Sequence, residues 1–410
     1  MTIQRSRSSN LLHTFLACSI IAPKISGIDF SILTLFLLCC FSMIKSRKIH
    51  SFPPNYYFIL VVWLILLTFT LTSYIFFGRI DFQFILKPCR QIVLLSLILI
   101  IIDRLQLKVE HVFKVIIIAA LINCIIIAMQ LVGHNYFSIS GFMLPSSFNE
   151  EVDAPFRKPG LMSGYPHAGI LSLIALQCLI YFNRRINRLM FVILFSFLTL
   201  SLIVTSRTAL LLAIVPFVTF FMRGFKSKKA LSGIILFIGI GISLITYIIN
   251  MLPEDTFTHS FEIFLNYSES KSFNTLSTDA SIESYMLPLK TSTWLLGNGK
   301  YMTNDYNLNV DDGFQIPLYG GGVIYLIITI CLYFYYFFKS TYRLKPTFKK
   351  YTIGCIFLIV FIANFKLDTI FTRVISDILT LFFAIGLQSK YNHEDFAQYS
   401  FKGKMNEVFN

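Results

Sequence analysis

The sequence predicts an all-α polytopic membrane protein with about twelve transmembrane helices and one long external loop. Three observations carry that reading. Of the 410 residues, 55 % are hydrophobic and only 14 % charged, and the mean hydropathy of +0.69 excludes an ordinary soluble domain. Apolar stretches long enough to cross a hydrocarbon core of about 30 Å recur along the whole chain. The Lys and Arg residues behind the net charge of +14 gather in alternate loops, as they do where basic loops stay in the cytoplasm.

The stretches are taken in order. The first, 11–22, follows Arg5 and Arg7 in the manner of a signal peptide, and Ala17-Cys18 imitates a lipoprotein cleavage site. An uncleaved first span is expected, because removing it inverts the inside/outside count. Further spans are expected at 28–44, 56–77, 84–102, 112–132 and 161–182. From Leu189 to Met222 the only charged side chain is Arg207. As one helix this run would reach roughly 50 Å, so it must be two spans or one broken one, 189–205 and 207–222. Arg184, Arg185 and Arg188 precede it and Arg223, Lys226, Lys228 and Lys229 follow, so both ends lie inside and Arg207 marks an outer tip. The last spans are expected at 230–251, 314–338, 351–367 and 370–388.

In this arrangement both termini are cytoplasmic, and so are the basic loops 45–50, 103–111, 183–188, 223–229 and 339–350 with the tail after 388. Topology therefore accounts for most of the positive charge without a nucleic-acid partner. The whole chain, 1–410, reads as one integral membrane domain without internal repeats. Its long loops are 133–160 and 252–312, and long loops in compact proteins tend to carry function. Within 252–312, Phe257, Phe261, Phe264 and Leu265 recur at helical spacing, as do Ile282, Tyr285, Met286 and Leu289. Both read as amphipathic surface helices, the second capped by Asp279 and ended by Gly297-Asn298-Gly299. The eight cysteines, Cys18, Cys39, Cys40, Cys89, Cys124, Cys178, Cys331 and Cys355, form no CxxC or Cys/His cluster. No disulfide framework or metal site is implied.

Four groups of polar residues fall on the expected outer face. Arg157-Lys158-Pro159-Gly160 leads into Ser163-Gly164-Tyr165-Pro166-His167-Ala168-Gly169. The two cations are either interfacial snorkelling residues or ligands for an anion, and His167 either caps a helix or acts as a base. Thr205-Ser206-Arg207-Thr208 forms the hairpin tip, where an arginine fork matches a phosphate or else snorkels to headgroups. Asp311-Asp312-Gly313-Phe314 precedes Gly320-Gly321-Gly322. Acids suit a helix start, and the glycines point to close packing or to backbone approach to a substrate. Arg79, Asp81, Lys87 and Arg90 flank span four, with Pro88 expected to break the helix between two cations. Arg90, at membrane depth, needs an anionic partner, either Asp81 or a substrate phosphate.

At these residues the chain resembles the O-antigen polymerase and ligase superfamily of bacterial envelope glycosyltransferases. The likeness rests on Arg157-x-x-Gly160 with Pro166-His167, on Ser206-Arg207-Thr208, on Leu296-Gly297-Asn298-Gly299, and on Asp311-Asp312-Gly313-Phe314 through Gly322. It implies a GT-C-like helical fold in the bacterial inner membrane, working without a metal or other cofactor. The implied substrates are undecaprenyl-pyrophosphate-linked oligosaccharides, and the implied partners are a chain-length regulator and a flippase. Arg157 and Arg207 would hold the donor pyrophosphate, His167 would act as acid/base or phosphate contact, and Arg90, Asp311 and Asp312 would contact substrate. Ligases of this kind place a histidine near the end of the long loop, where this chain has Asp311, so the resemblance favours repeat-unit polymerisation over ligation to lipid A-core. The family's loop arginine has no counterpart in 224–342, where Lys271, Lys290 and Lys300 are the loop's Lys/Arg residues. A flippase for the same lipid-linked units is the rival from another class. Its substrate would bind near the midplane between repeated halves, whereas these ionisable residues crowd one rim.

Overall fold

A computed structural model describes residues 2–25, 28–45, 52–77, 82–136, 158–162, 164–224, 266–268, 294–297, 299, 313–342, 344–345 and 347–388. These residues form helices α1 (Thr2–Ile21), α2 (Phe30–Lys45), α3 (Pro54–Phe77), α4 (Phe82–Leu105), α5 (Val109–Tyr136) and α6 (Tyr165–Phe182). They continue as α7 (Arg188–Thr205), α8 (Arg207–Leu212), α9 (Ile214–Gly224), α10 (Gln315–Tyr342), α11 (Phe348–Ala363) and α12 (Arg373–Leu387). Between α1 and α2 the chain makes a minimal antiparallel hairpin, β1 (Lys24–Ile25) with β2 (Ile28–Asp29). The sequence reading had no strand here.

Six of the described helices are long and apolar enough to cross a membrane: α3, α4, α5, α6, α7 and α10. Large apolar side chains remain exposed around the bundle, among them Phe36 and Leu37 on α2, Ile75 on α3, Ile193 on α7 and Phe338 on α10. In water such a girdle would drive aggregation, and in a bilayer it is the lipid contact. The class defined is a helical, polytopic membrane protein. The expected spans 230–251 and the two amphipathic segments of the 252–312 loop lie outside the described residues.

The helix directions follow from contacts at the two ends. Helix α6 is apolar on every side, the composition of a helix buried all round, and it packs against α5, α7, α8, α9, α11 and α12. Every residue from Ala168 to Phe182 on it is buried. At its C-terminal end the Tyr181 hydroxyl donates to Glu110 Oε1 at 3.2 Å, and Glu110 pairs with Lys349 at 2.7 Å. Arg223 donates to the Tyr181 carbonyl at 2.8 Å and stacks over Phe348 at 4.1 Å. The starts of α5 and α11 and the ends of α6 and α9 therefore meet at one end of the bundle, the Glu110 end. His167, at the other end of α6, defines the opposite, His167 end.

The stretch from Leu189 to Met222 resolves into a helical hairpin. Phe191 stacks on Phe220 with centroids 5.8 Å apart, and Phe195 meets Phe217 edge-on at 5.6 Å. The pairs mirror each other about Ser206, as an antiparallel reversal requires. Ser206 is extended, with φ −150°, and its Oγ accepts from the Ala209 amide at 3.3 Å, the bond of an N-cap. The expected break at Pro88 is absent, since α4 runs through it from Phe82 to Leu105. Pro88 costs one backbone hydrogen bond near the first turns, and packing on α2, α3 and α12 keeps the helix continuous.

Candidate functional site

Of the site residues expected from sequence, His167, Arg207 and Arg90 are among the described residues. The turn before α6 is clamped onto α5. The Gly160 amide donates to Gln130 Oε1 at 2.9 Å, Gln130 Nε2 donates back to the Gly160 carbonyl at 3.2 Å, and the Leu161 amide donates to Asn123 Oδ1 at 2.7 Å. Gly160 has φ +67°, and a Cβ there would lie 2.4 Å from Asn123 Oδ1. The glycine thus serves close approach to α5 rather than to a ligand. Lys158 is buried, which sets aside the snorkelling alternative for that side chain. Arg157 lies outside the described residues.

His167 occupies the first turn of α6. Its Nε2 is 3.1 Å from the Asp368 carbonyl and 3.0 Å from Thr372 Oγ1, while the Thr372 hydroxyl itself donates to the Asp368 carbonyl. A carbonyl oxygen only accepts, so Nε2 carries the proton and the neutral ring keeps its lone pair on Nδ1. That Nδ1 is buried and has no hydrogen-bond partner. His167 therefore has one nitrogen fixed by hydrogen bonds and one buried without a hydrogen-bond partner.

Two residues further along α6, Gly169 leaves room for the hairpin tip, since a Cβ on it would lie 2.6 Å from Ser206 Cβ and 2.9 Å from Ala209 Cβ. The half-buried Arg207, next to Ser206, thereby lies in the turn that packs on α6 near its start. On the other flank, the turn 364–372 is built around Asn364, whose Oδ1 accepts from the Thr369 and Ile370 amides at 3.0 Å and 3.1 Å. Asp368 in this turn pairs with Lys87 of α4, whose ammonium lies 5.8 Å from the centre of the Phe371 ring. The Gly313 amide donates to the Asn364 carbonyl at 3.0 Å, so α10 is entered beside the same turn. Asp311 and Asp312 lie outside the described residues.

Arg90 required an anionic partner, and the structure supplies two carboxylates that the sequence reading did not name. Its Nη1 and Nη2 grip Asp377 of α12 in a bidentate pair at 2.7 Å and 2.9 Å. Its Nε donates to Asp29 of β2 at 2.7 Å, and Ser31 and Ser376 accept at 3.1 Å and 3.4 Å. The expectation that Asp81 or a substrate phosphate neutralises Arg90 is corrected on this point. Asp81 is outside the described residues, and the hairpin before α2 brings Asp29 to the guanidinium instead. Burial alone would raise the pKa of Asp29, but Arg90, the Ser31 hydroxyl and Arg373 outweigh it and hold the carboxyl below its ordinary value.

The three glycines of α10 also receive an explanation from outside the helix. Gly322 has φ +80° and ψ 179°, breaking the helix, and the gap admits the main chain of 294–297. The Val323 amide donates to the Trp294 carbonyl and the Gly299 amide to the Gly320 carbonyl, each at 2.9 Å. Of the two alternatives, packing or substrate approach, these glycines serve packing against the end of the long loop. Gly297 and Gly299, with φ +70° and +73°, fit the turn that begins at Trp294 to the break, while Asn298 and the helix expected before it lie outside the described residues.

Asp29, Asp377, Asp368, Thr372 and Arg373 are the residues of this end that the sequence reading missed. For Asp377 the signal was present: a carboxylate inside the apolar stretch 370–388 is open to the same argument that singled out Arg207. Among the described residues no group of three or more His, Cys, Asp or Glu side chains comes together to hold a metal ion. Comparison with protein-family models and with curated proteins gave no match.

Proposed function

We propose that the protein is a repeat-unit polymerase of lipid-linked glycans, working at the outer face of a bacterial inner membrane with both termini in the cytoplasm. It transfers a growing glycan from its undecaprenyl pyrophosphate carrier to a sugar hydroxyl of the next lipid-linked oligosaccharide, building O-antigen or a related surface polysaccharide. The observation that supports the reading is His167, fixed through Nε2 and with a buried, unpartnered Nδ1, at the start of the helix against which the Arg207 turn packs. In this scheme the acceptor displaces the packing that covers Nδ1, and Nδ1 takes the proton of its hydroxyl as the oxygen attacks the anomeric carbon. The bond from that carbon to the pyrophosphate breaks, and undecaprenyl pyrophosphate departs with the electron pair. Arg207 and Arg157 stabilise the charge that grows on the leaving group.

The twelve-span reading draws support from the alternation of helix directions. Helix α1 places His13 against His111 at the Glu110 end, and α12 finishes near that end, with Gln388 Nε2 donating to the Leu99 carbonyl at 3.5 Å. Helix α9 ends at the Glu110 end and Gly313 stands at the His167 end, so the chain changes ends between them. The basic side chains Arg184, Arg185, Arg188, Arg223 and Lys349 belong to the Glu110 end, which the positive-inside rule assigns to the cytoplasm.

The test is the surface polysaccharide ladder of cells carrying Arg207→Ala or His167→Ala in place of the wild-type chain. A polymerase predicts collapse of the ladder to core capped with a single unit. Unattached polymer would indicate a ligase and bare core a flippase, and an unchanged ladder in both variants would remove the assignment.

A further inference from the structure

The break in α10 lies at membrane depth. From Gln315 the first charged residue of the helix is Lys339, beside Gly386 near the end of α12 and so toward the Glu110 end. At about 1.5 Å per residue Val323 stands roughly 24 Å from Lys339, and a hydrocarbon core is about 30 Å thick. Gly322 and Val323 therefore fall inside that core, below its surface at the His167 end. The side of α10 that meets lipid is marked by exposed apolar residues, Ile324, Ile327, Phe334 and Phe338, which recur at the helical period. This stripe reaches the break at Ile324.

There the end of the long loop docks. The Val323 amide donates to the Trp294 carbonyl and the Gly320 carbonyl accepts from the Gly299 amide, each at 2.9 Å. A continuous helix would have paired these two groups with Tyr319 and Ile324. Irregular backbone is tolerated at membrane depth when protein covers it and satisfies its polar groups. Gly297 and Gly299 are buried, and a Cβ on Gly297 would lie 2.2 Å from the Gly320 carbonyl oxygen, so the main chain of the turn is pressed onto α10. Its first two side chains are not covered: Trp294 is 50 % and Leu295 60 % exposed. At this depth, next to the lipid-facing stripe, the medium that receives them is acyl chain. An indole, apolar with one N–H donor, suits the zone just below the headgroups.

We propose that the turn 294–297 is a membrane anchor: the break at Gly322 seats its main chain, and Trp294 and Leu295 enter the acyl chains of the leaflet at the His167 end. The end of the long loop is thereby pinned in the bilayer beside the first turns of α10. This placement is independent of the polymerase reading.

The experiment is fluorescence quenching of the full-length protein in phosphatidylcholine vesicles. The chain has two tryptophans, so Trp63→Phe leaves Trp294 as the reporter. Bromine atoms on the acyl chains near the headgroup should lower Trp294 emission about twofold or more, and bromine near the chain ends should lower it less. Iodide on both sides of the membrane should leave the emission nearly unchanged. Gly322→Ala in the same background places a Cβ 2.1 Å from the Leu295 carbonyl oxygen and should reverse the pattern, with iodide quenching gained and bromolipid quenching lost. Iodide quenching without bromolipid quenching in the Trp63→Phe protein puts the turn in water and overturns the proposal. Protection from both quenchers puts it under another part of the chain and overturns it as well. Unchanged bromolipid quenching in a folded Gly322→Ala overturns the seating by the break. Trp63 Nε1 donates to the Tyr336 hydroxyl at 3.1 Å. If Trp63→Phe fails to fold, the Trp294 signal is the difference between wild-type protein and Trp294→Phe, and the same outcomes decide.

Discussion

Gly160 and Asp29 show how single residues hold the His167 end in place, and both lend themselves to measurement. At Gly160 the left-handed backbone conformation costs any residue with a Cβ about 1–2 kcal/mol, and the overlap with Asn123 Oδ1 adds to it. Gly160→Ala should therefore lower stability by more than about 2 kcal/mol, read from thermal unfolding in detergent. Asp29 contributes through its charge. Because its folded pKa is lowered, its contribution is present above the ordinary carboxylate value of about 4 and is lost as pH falls through the lowered folded value. Asp29→Asn should lower stability near neutral pH and flatten the acid limb of the stability profile, and an acid limb identical to wild type would contradict the pairing. From sequence, Gly160 was legible as a turn glycine but its purpose was not, because the amide side chains that clamp it sit on α5, about thirty residues earlier. Asp29 was invisible for a similar reason: its partner is a guanidinium on another helix.

At the scale of elements, apolar length and flanking charge located the helices well, and irregular backbone was where the reading failed. The run around Arg207 was correctly divided because its length exceeded one membrane crossing, and Phe191 and Phe195 facing Phe220 and Phe217 show the resulting hairpin. The supposed break at Pro88 did not occur, since a single missing bond does not outweigh packing on three neighbours. The real break, at Gly322, required a partner that no local pattern contains. There a Cβ would lie 2.1 Å from the Leu295 carbonyl. Gly322→Ala should release the 294–299 segment from α10, and the expected sign is faster tryptic cleavage after Lys300 in detergent-solubilised protein. Cleavage at the wild-type rate would mean that the segment is held by other contacts.

For the whole molecule, composition alone established a helical membrane protein, and the alternation of basic loops gave every helix a direction. Two exposed positions test that direction. Phe365, beside Asn364 at the His167 end, and Lys345, just before α11 at the Glu110 end, are both exposed. In a background lacking the exposed Cys18 and Cys331, Phe365→Cys should react with a membrane-impermeant maleimide in intact spheroplasts, and Lys345→Cys only after permeabilisation. The opposite pattern would invert the topology and with it the outer-face chemistry. Composition and loop charge could not foretell how early and late helices of the described bundle are joined. Arg90 sits between Asp29, which leads into the second helix, and Asp377, in the twelfth described one. During synthesis the arginine and Asp29 enter the membrane long before Asp377 has been translated. Until then the guanidinium lacks its fully buried bidentate partner, and a nascent or truncated chain carries an incompletely neutralised charge within the bilayer. Insertion of α12 closes that ion cluster, so the helix carrying Arg90 waits for a partner made 287 residues later.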